Sequence, residues 1–249
     1  MRSIGIIPAR FESSRFPGKP LAQILGKPMI CWVAEGAMQS GLLDDVIVTS
    51  DNDRILDAVR SRGFHAVQSS AQHQTGSDRA WEIASHLDAE IIVNIQGDEP
   101  AVGEKEIDAC IRPLLTRKDV DVVTLKIPIT EEEDLNDPNL VKVVTDLEGF
   151  ALYFSRAAIP YHKPVAGEFK GALHFGHVGI YAYTRSALET FANLPQSDLE
   201  KQESLEQLRG LSAGLSYLVI ESDYKPIKVD TKSELVKAER FLRNRLECE

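Results

Sequence analysis

The 249 residues carry a formal charge of −10, with 28 Lys and Arg against 38 Asp and Glu, and 43% of them are apolar. That balance excludes a broad basic surface for DNA or RNA, but not a local cation cluster, because exposed charges are screened beyond ~8 Å at physiological salt. No apolar run approaches the roughly 18 residues of a membrane span, and the start "MRSIGIIPAR" is too short for a signal peptide; the expectation is a cytoplasmic protein without a membrane partner.

In chain order, "SIGIIP" reads as a buried strand, and "KPMICWVAEGAMQSG" as a helix with Pro28 in its first turn and Gly41 past its end. Met29, Trp32, Val33 and Ala37 fall on one face of it. "DVIVTSD" is the next strand and "NDRILDAVRSRG" the next helix. "HAVQS" is a short strand, "SDRAWEIASHL" a helix, "EIIVNIQGDEP" a strand running into a polar turn, and "KEIDACIRPLLTR" a helix. This alternation, up to about residue 118, predicts parallel strands with crossover helices in a doubly wound α/β sheet. Ligands of such sheets bind beyond the carboxyl ends of the strands. From about 120 to 184 the pattern changes. "VDVVTLKIPI", "VKVVTD", "ALYFS" and "HFGHVGIYAYT" read as strands without long helices between them, a smaller antiparallel excursion or an extension of the main sheet. The acidic "EEEDLNDPN" is turn-prone, and the Pro/Gly-rich 159–176 is long enough to suspect function or a subunit contact. Helices return as "SALETFANL", "DLEKQESLEQLRGL" and "TKSELVKAERFLRNRLE", separated by the strand "LSYLVIES" and a short strand "PIKVD". The expectation is one domain over 1–249, with 120–184 serving the ligand site and a dimer contact.

Two features carry chemistry. The first is "IIPARFESSRFPGKPL", residues 6–21, which sets Arg10, Arg15 and Lys19 directly after the first strand with only Glu12 opposing them. It contains neither a Walker pattern nor GxGxxG. Arginine forks and a lysine point charge still suit phosphate oxygens, and the prolines flanking Gly18-Lys19 reduce the entropy lost on closing around a ligand. The bland alternative is a solvated turn. The second feature is a pair of short carboxylates at strand ends, Asp98 in "QGDEP" and Asp230 in "PIKVD". Such a pair suits Mg²⁺, which takes a few carboxylates together with phosphate oxygens and water. The alternatives are a turn residue before Pro100 and an N-cap for the last helix, a role open also to Thr231 or Ser233. Of the three cysteines, Cys31, Cys110 and Cys248, none has CxxC or Cys/His ligand spacing.

"IIPARFESSRFPGKPL…GKPMI", "HQTGSDR", "VNIQGDEP", "LYFSRAAIPY", "HVGIYAY", "SLEQLR" and "VDTKSEL" follow one another along nearly the whole chain. Together they resemble the 3-deoxy-manno-octulosonate (Kdo) cytidylyltransferase family, the CMP-Kdo synthetases. The resemblance implies a nucleotide-diphospho-sugar transferase-like fold, a homodimer, and transfer of CMP from CTP to an acidic keto-sugar, with release of pyrophosphate, for lipopolysaccharide precursors. It implies that Arg10, Arg15 and Lys19, with Pro8 and Ala9, meet the triphosphate, that His73, Gln74 and Ser77 lie near the cytosine, and that Asp98 and Asp230 hold Mg²⁺. It assigns the sugar to Arg79, Gln96, Arg156, His177, Tyr181, Glu206 and Gln207. Read locally, His73 and Gln74 are equally ordinary loop residues, Ser77 or Asp78 a helix cap, and Glu206 and Gln207 a solvated helix face. Three other readings stay open. One is the same reaction on 8-amino-Kdo or another sugar acid, for which Glu168 in the least family-like stretch is a candidate contact. Another is a noncatalytic nucleotide-binding protein. The third is a glycosyltransferase, which would not need a triphosphate loop.

Overall fold

The computed structural model describes residues 1–12, 16–73, 75–161 and 174–248. Its elements are, in order, β1 (Ser3–Ala9), β2 (Gln23–Ile24), β3 (Lys27–Pro28), α1 (Met29–Met38), β4 (Asp45–Ser50), α2 (Asp53–Arg60), β5 (His65–Gln68), α3 (Gly76–Ser85), β6 (Ile91–Asn94) and α4 (Glu104–Thr116). Then come β7 (Val122–Pro128), α5 (Glu132–Asn136), β8 (Lys142–Thr145), β9 (Ala151–Ser155), β10 (Phe175–Thr184), α6 (Arg185–Asn193), α7 (Asp198–Glu203), α8 (Gln207–Ser212), β11 (Tyr217–Glu221) and α9 (Lys232–Cys248).

Apolar residues alternate along β1, so each face of the strand feeds a different core. Ile4 and Ile6 pack with Ala80, Leu188 and Leu208 from α3, α6 and α8, while Ile7 and Ala9 pack with Ile30, Val33, Ile55 and Ile107 from α1, α2 and α4. The main sheet runs β5-β4-β1-β6-β10-β7-β11. Its β1–β4, β1–β6, β4–β5 and β7–β11 ladders are parallel, and β10 runs antiparallel to both β6 and β7. The doubly wound, mostly parallel α/β sheet is therefore as expected. The segment 120–184 extends this sheet through β7 and β10, and the antiparallel excursion proper is the β8–β9 hairpin, attached through β10. The expected strand "PIKVD" has no ladder. It is irregular chain whose Val229 N–H donates to Asp98 O at 2.9 Å.

Helix starts decide which polar side chains remain for chemistry. Thr75, not Ser77 or Asp78 alone, caps α3: its hydroxyl accepts from Asp78 N and the Asp78 carboxylate answers Thr75 N. At α9, Thr231 accepts from Glu234 N, and the Glu234 carboxylate accepts from Asp230 N and Thr231 N, each at 2.8 Å. Thr231 and Glu234 thus cap the helix, and the Asp230 carboxylate pairs with Lys19. The expected single helix over 198–211 breaks at Ser204, which sits in the left-handed region at φ 53°.

Candidate active site

The order of the sheet places its switch point at β1, between β4 and β6, and the loops that follow β1 and β6 meet there. Gly97 allows the meeting, because a Cβ at that position would lie 2.9 Å from Pro8 O. Gly18, at φ 70°, turns the first loop back into a short 3-10 turn over Lys19–Leu21. Lys19 is thereby directed at the β6 loop. Its Nζ lies 2.8 Å from Asp98 Oδ2 and 2.9 Å from Asp230 Oδ1. Burial pulls the Lys19 pKa down, but the ion pairs with Asp98 and Asp230 outweigh it and hold it above the ordinary lysine value. Val229, buried in a third cluster with Ile24, Met29 and Leu242, fixes the chain that presents Asp230.

Two cavities flank this cluster. The first, of about 410 Å³, is lined by Pro8, Ala9, Arg10, Glu12, Lys19, Gly76, Gln96 and Asp98 among others. The second, of about 620 Å³, is lined by Gln96, Arg156, His177, Tyr181, Glu206, Gln207 and Asp230, and also by Glu99, Asn139 and Lys228. Gln96 borders both. Because β10 runs against its neighbours, its beginning lies at their carboxyl ends, which brings His177 and Tyr181 to the same edge as Asp98.

Of the expected nucleotide residues, Pro8, Ala9, Arg10 and Lys19 line the first cavity. Arg15 and Gln74, like Glu168, lie outside the described residues. His73 does not line it: its ring Nε2 is 2.7 Å from Glu82 Oε2, and only its carbonyl turns toward the site, accepting from Arg10 Nη2 at 2.8 Å. Ser77 is fully buried behind the cavity, donating to Glu206 Oε1 at 3.0 Å and accepting from Asn94 Nδ2 at 3.1 Å.

Of the expected sugar residues, Arg79 lies apart from the others. It is fully buried and lines neither cavity, with Nη1 at 2.6 Å from Ser69 Oγ and 3.7 Å from Asp51. Burial lowers its pKa and Asp51 opposes that, and the partners Asp51 and Ser69 directly follow β4 and β5. Arg156 stands in the second cavity instead. Its guanidinium donates to Glu203 O at 2.7 Å, Pro138 O at 2.9 Å and Ser204 O at 3.2 Å. Among the described residues three of five N–H groups are so used, which leaves one on each terminal nitrogen, a fork of the kind that fits a carboxylate. The break at Ser204 supplies one of these carbonyls and lets Leu205 and Leu208 be buried while Glu206 and Gln207 reach the cavity. Burial raises the Glu206 pKa, against hydrogen bonds from Ser77 and Thr75.

Sequence reasoning missed Glu99, which is 8% exposed and pushed up to about 7 by burial and then by Asp98. It also missed Asn139 and Lys228. A carboxylate adjoining Asp98 in "QGDEP" was a visible signal; for Asn139 and Lys228 the sequence offers none, since a loop's reach is not written in its composition.

His177 is buried enough to be lowered to about 3. The sign follows from proton counts: the unfolded chain binds the proton near 6.5 and the folded one does not. His177 should therefore cost up to about 1.4 kcal/mol of stability per pH unit as the pH falls from about 6.5 toward 3. Chemical denaturation of the wild type and His177→Gln between pH 5 and 8 checks this, and parallel profiles refute it.

Asp98 and Asp230 have the donor chemistry of a hard divalent cation. Asp98 Oδ1 is buried with no hydrogen bond among the described residues, and two carboxylates of different loops converge on one point, where Lys19 stands. No group of three or more His, Cys, Asp or Glu among the described residues is arranged for a metal. A two-carboxylate site suits an ion that also takes phosphate and water. No helix of the described residues is long and apolar enough to cross a membrane.

Comparison with known proteins gives the family. Residues 4–223 match the Cytidylyltransferase family. The 3-deoxy-manno-octulosonate cytidylyltransferase of Syntrophotalea carbinolica is 45% identical over 98% of this chain and 99% of its own, and that of Geobacter sulfurreducens 46% over 95% and 98%. The structure of CMP:2-keto-3-deoxy-manno-octonic acid synthetase complexed with CTP superposes with a TM-score of 0.91 at 36% identity, covering 98% of this chain and all of that one. A cytidylyltransferase structure from Leptospira borgpetersenii, at 16% identity and a TM-score of 0.63, shares the fold. With a whole-length match and a cleft at the switch point of the sheet, this chain belongs to the cytidylyltransferase family.

Proposed function

We propose that the protein joins CMP from CTP to the anomeric hydroxyl of Kdo, supplying activated sugar acid for lipopolysaccharide precursors in the cytoplasm. The observation that carries this reading is the convergence of Lys19, Asp98 and Asp230 between two cavities of unlike character. In the reaction the sugar oxygen forms a bond to the α-phosphorus, the bond from that phosphorus to the pyrophosphate oxygen breaks, and the hydroxyl proton passes to solvent water. Little covalent chemistry is asked of the side chains; alignment and charge neutralisation supply the rate. Arg10, Arg15 and Lys19 neutralise the triphosphate as pyrophosphate departs. Asp98 and Asp230 would hold Mg²⁺, which when bound supplies Lewis-acid stabilisation at the α-phosphate and acidifies a nearby hydroxyl. Arg156 takes the sugar carboxylate, and Gln96, His177, Tyr181, Glu206 and Gln207 take hydroxyl groups.

The names of the relatives favour Kdo over its 8-amino analogue. Dimerisation through the 120–184 region is part of the same proposal, supported by the exposed Leu147 and Leu152 on and beside the β8–β9 hairpin. A pyrophosphate-release panel over four nucleoside triphosphates and several sugar acids, with and without Mg²⁺, tests it. Release is expected with CTP, Kdo and Mg²⁺ together. CTP binding without release would favour a noncatalytic protein, and preference for 8-amino-Kdo would move the substrate.

A further inference from the structure

β10 bulges where it borders the sugar-side cavity. Val178 pairs with Leu125 and Tyr181 with Thr124, so Gly179 and Ile180 are extra residues on that strand. A bulge leaves carbonyls without ladder partners. Here the fully buried Thr124 hydroxyl serves them, with Oγ1 at 2.7 Å from Ile180 O and 3.1 Å from Val178 O. The same oxygen lies 2.9 Å from His177 Nε2. A hydroxyl has one proton, and a carbonyl can only accept. The 2.7 Å contact to Ile180 O is the shortest of the three and claims that proton, which leaves the oxygen to accept from Nε2.

We infer that Thr124 is a positioning residue that locks His177 as its neutral Nε2–H tautomer, so that Nδ1 offers the sugar acid an acceptor for one of its hydroxyl groups. His177 lines the cavity, and its Nδ1 makes no hydrogen bond among the described residues. Phe154 packs edge-on against the ring, with centroids 4.9 Å apart at 72°, which restrains ring rotation. The buried ring stays neutral, as its lowered pKa requires. An acceptor-only carboxylate is disfavoured at Nδ1, so the lock also orients the ligand, with its acid end at Arg156 and a hydroxyl at His177. This rests on the sugar-site reading above, but tautomer and turnover are read separately.

The test uses protein with ¹⁵N-labelled histidine, the His177 signals being assigned by their loss in His177→Gln. The wild type should show a protonated Nε2 and an unprotonated Nδ1. Thr124→Val should mix the tautomers and raise the KM for Kdo about tenfold at an unchanged KM for CTP, and Thr124→Ser should restore both. A protonated Nδ1 in the wild type, a Val variant with the wild-type pattern, or a Ser variant behaving like Val overturns the lock. Mixed tautomers with an unchanged KM for Kdo overturn the contact with the sugar. If the wild type does not turn over Kdo at all, the proposed substrate fails, and the ¹⁵N spectra still decide the lock.

Discussion

Asp98→Asn is expected to release pyrophosphate from CTP and Kdo about 10²–10³-fold more slowly than the wild type while remaining folded, with Lys19→Ala in the same range. The amide keeps the shape of the side chain and loses its charge. The surrounding structure does not depend on that charge: Lys19 still has Asp230 at 2.9 Å, and Val229 N–H still donates to the Asp98 backbone carbonyl. What is lost is one of two anionic donors at the point where the cavities meet, including the buried Oδ1 that finds no hydrogen bond among the described residues. A coupled pyrophosphatase assay at saturating CTP and Kdo measures the loss, and thermal unfolding verifies the fold. Turnover close to wild type in either variant would remove these residues from the reaction.

Arg156→Lys should raise the KM for the sugar acid by about 10–10²-fold and leave that for CTP unchanged, the range expected when a charge-assisted contact is removed. Lysine keeps the charge but not the fork. Arginine at 156 satisfies carbonyls of Pro138, Glu203 and Ser204 and still has N–H groups for a carboxylate. Lysine, with three donors, can replace part of the first role at the cost of the second. Steady-state kinetics with each substrate varied in turn separates the two. A KM for CTP that rises instead would place Arg156 on the nucleotide side.

The site was legible in part, and the division follows physical lines. Arg10, Lys19 and Asp98 were readable because a cation cluster framed by prolines after a strand, and an acid just past another, gather at one edge whenever the sheet is parallel. Gln96, Arg156, His177, Tyr181, Glu206 and Gln207 were assigned by resemblance, and all line one cavity. Arg79 stands apart from them because a motif carries no direction: α3 turns it toward Ser69 and Asp51, while the nearby Ser77 points to Glu206. Ser77 and Asp78 both looked like caps; Thr75 caps the helix two residues before Ser77, and only the backbone distinguishes three polar residues within four positions.

Periodicity and punctuation alone determined the α/β class, the strand–helix alternation through residue 118 and the edge at which ligands gather, because the burial of alternating and helical faces is a local property of the chain. The tertiary structure decided what depends on direction and distant contact. It decided that β10 runs antiparallel with a bulge filled by Thr124, that the helix over 198–211 breaks at Ser204, and that Lys19 stands between aspartates from two other loops. A side chain's partner is set by which loops the sheet brings together, and chains of very different local pattern can meet at the same point.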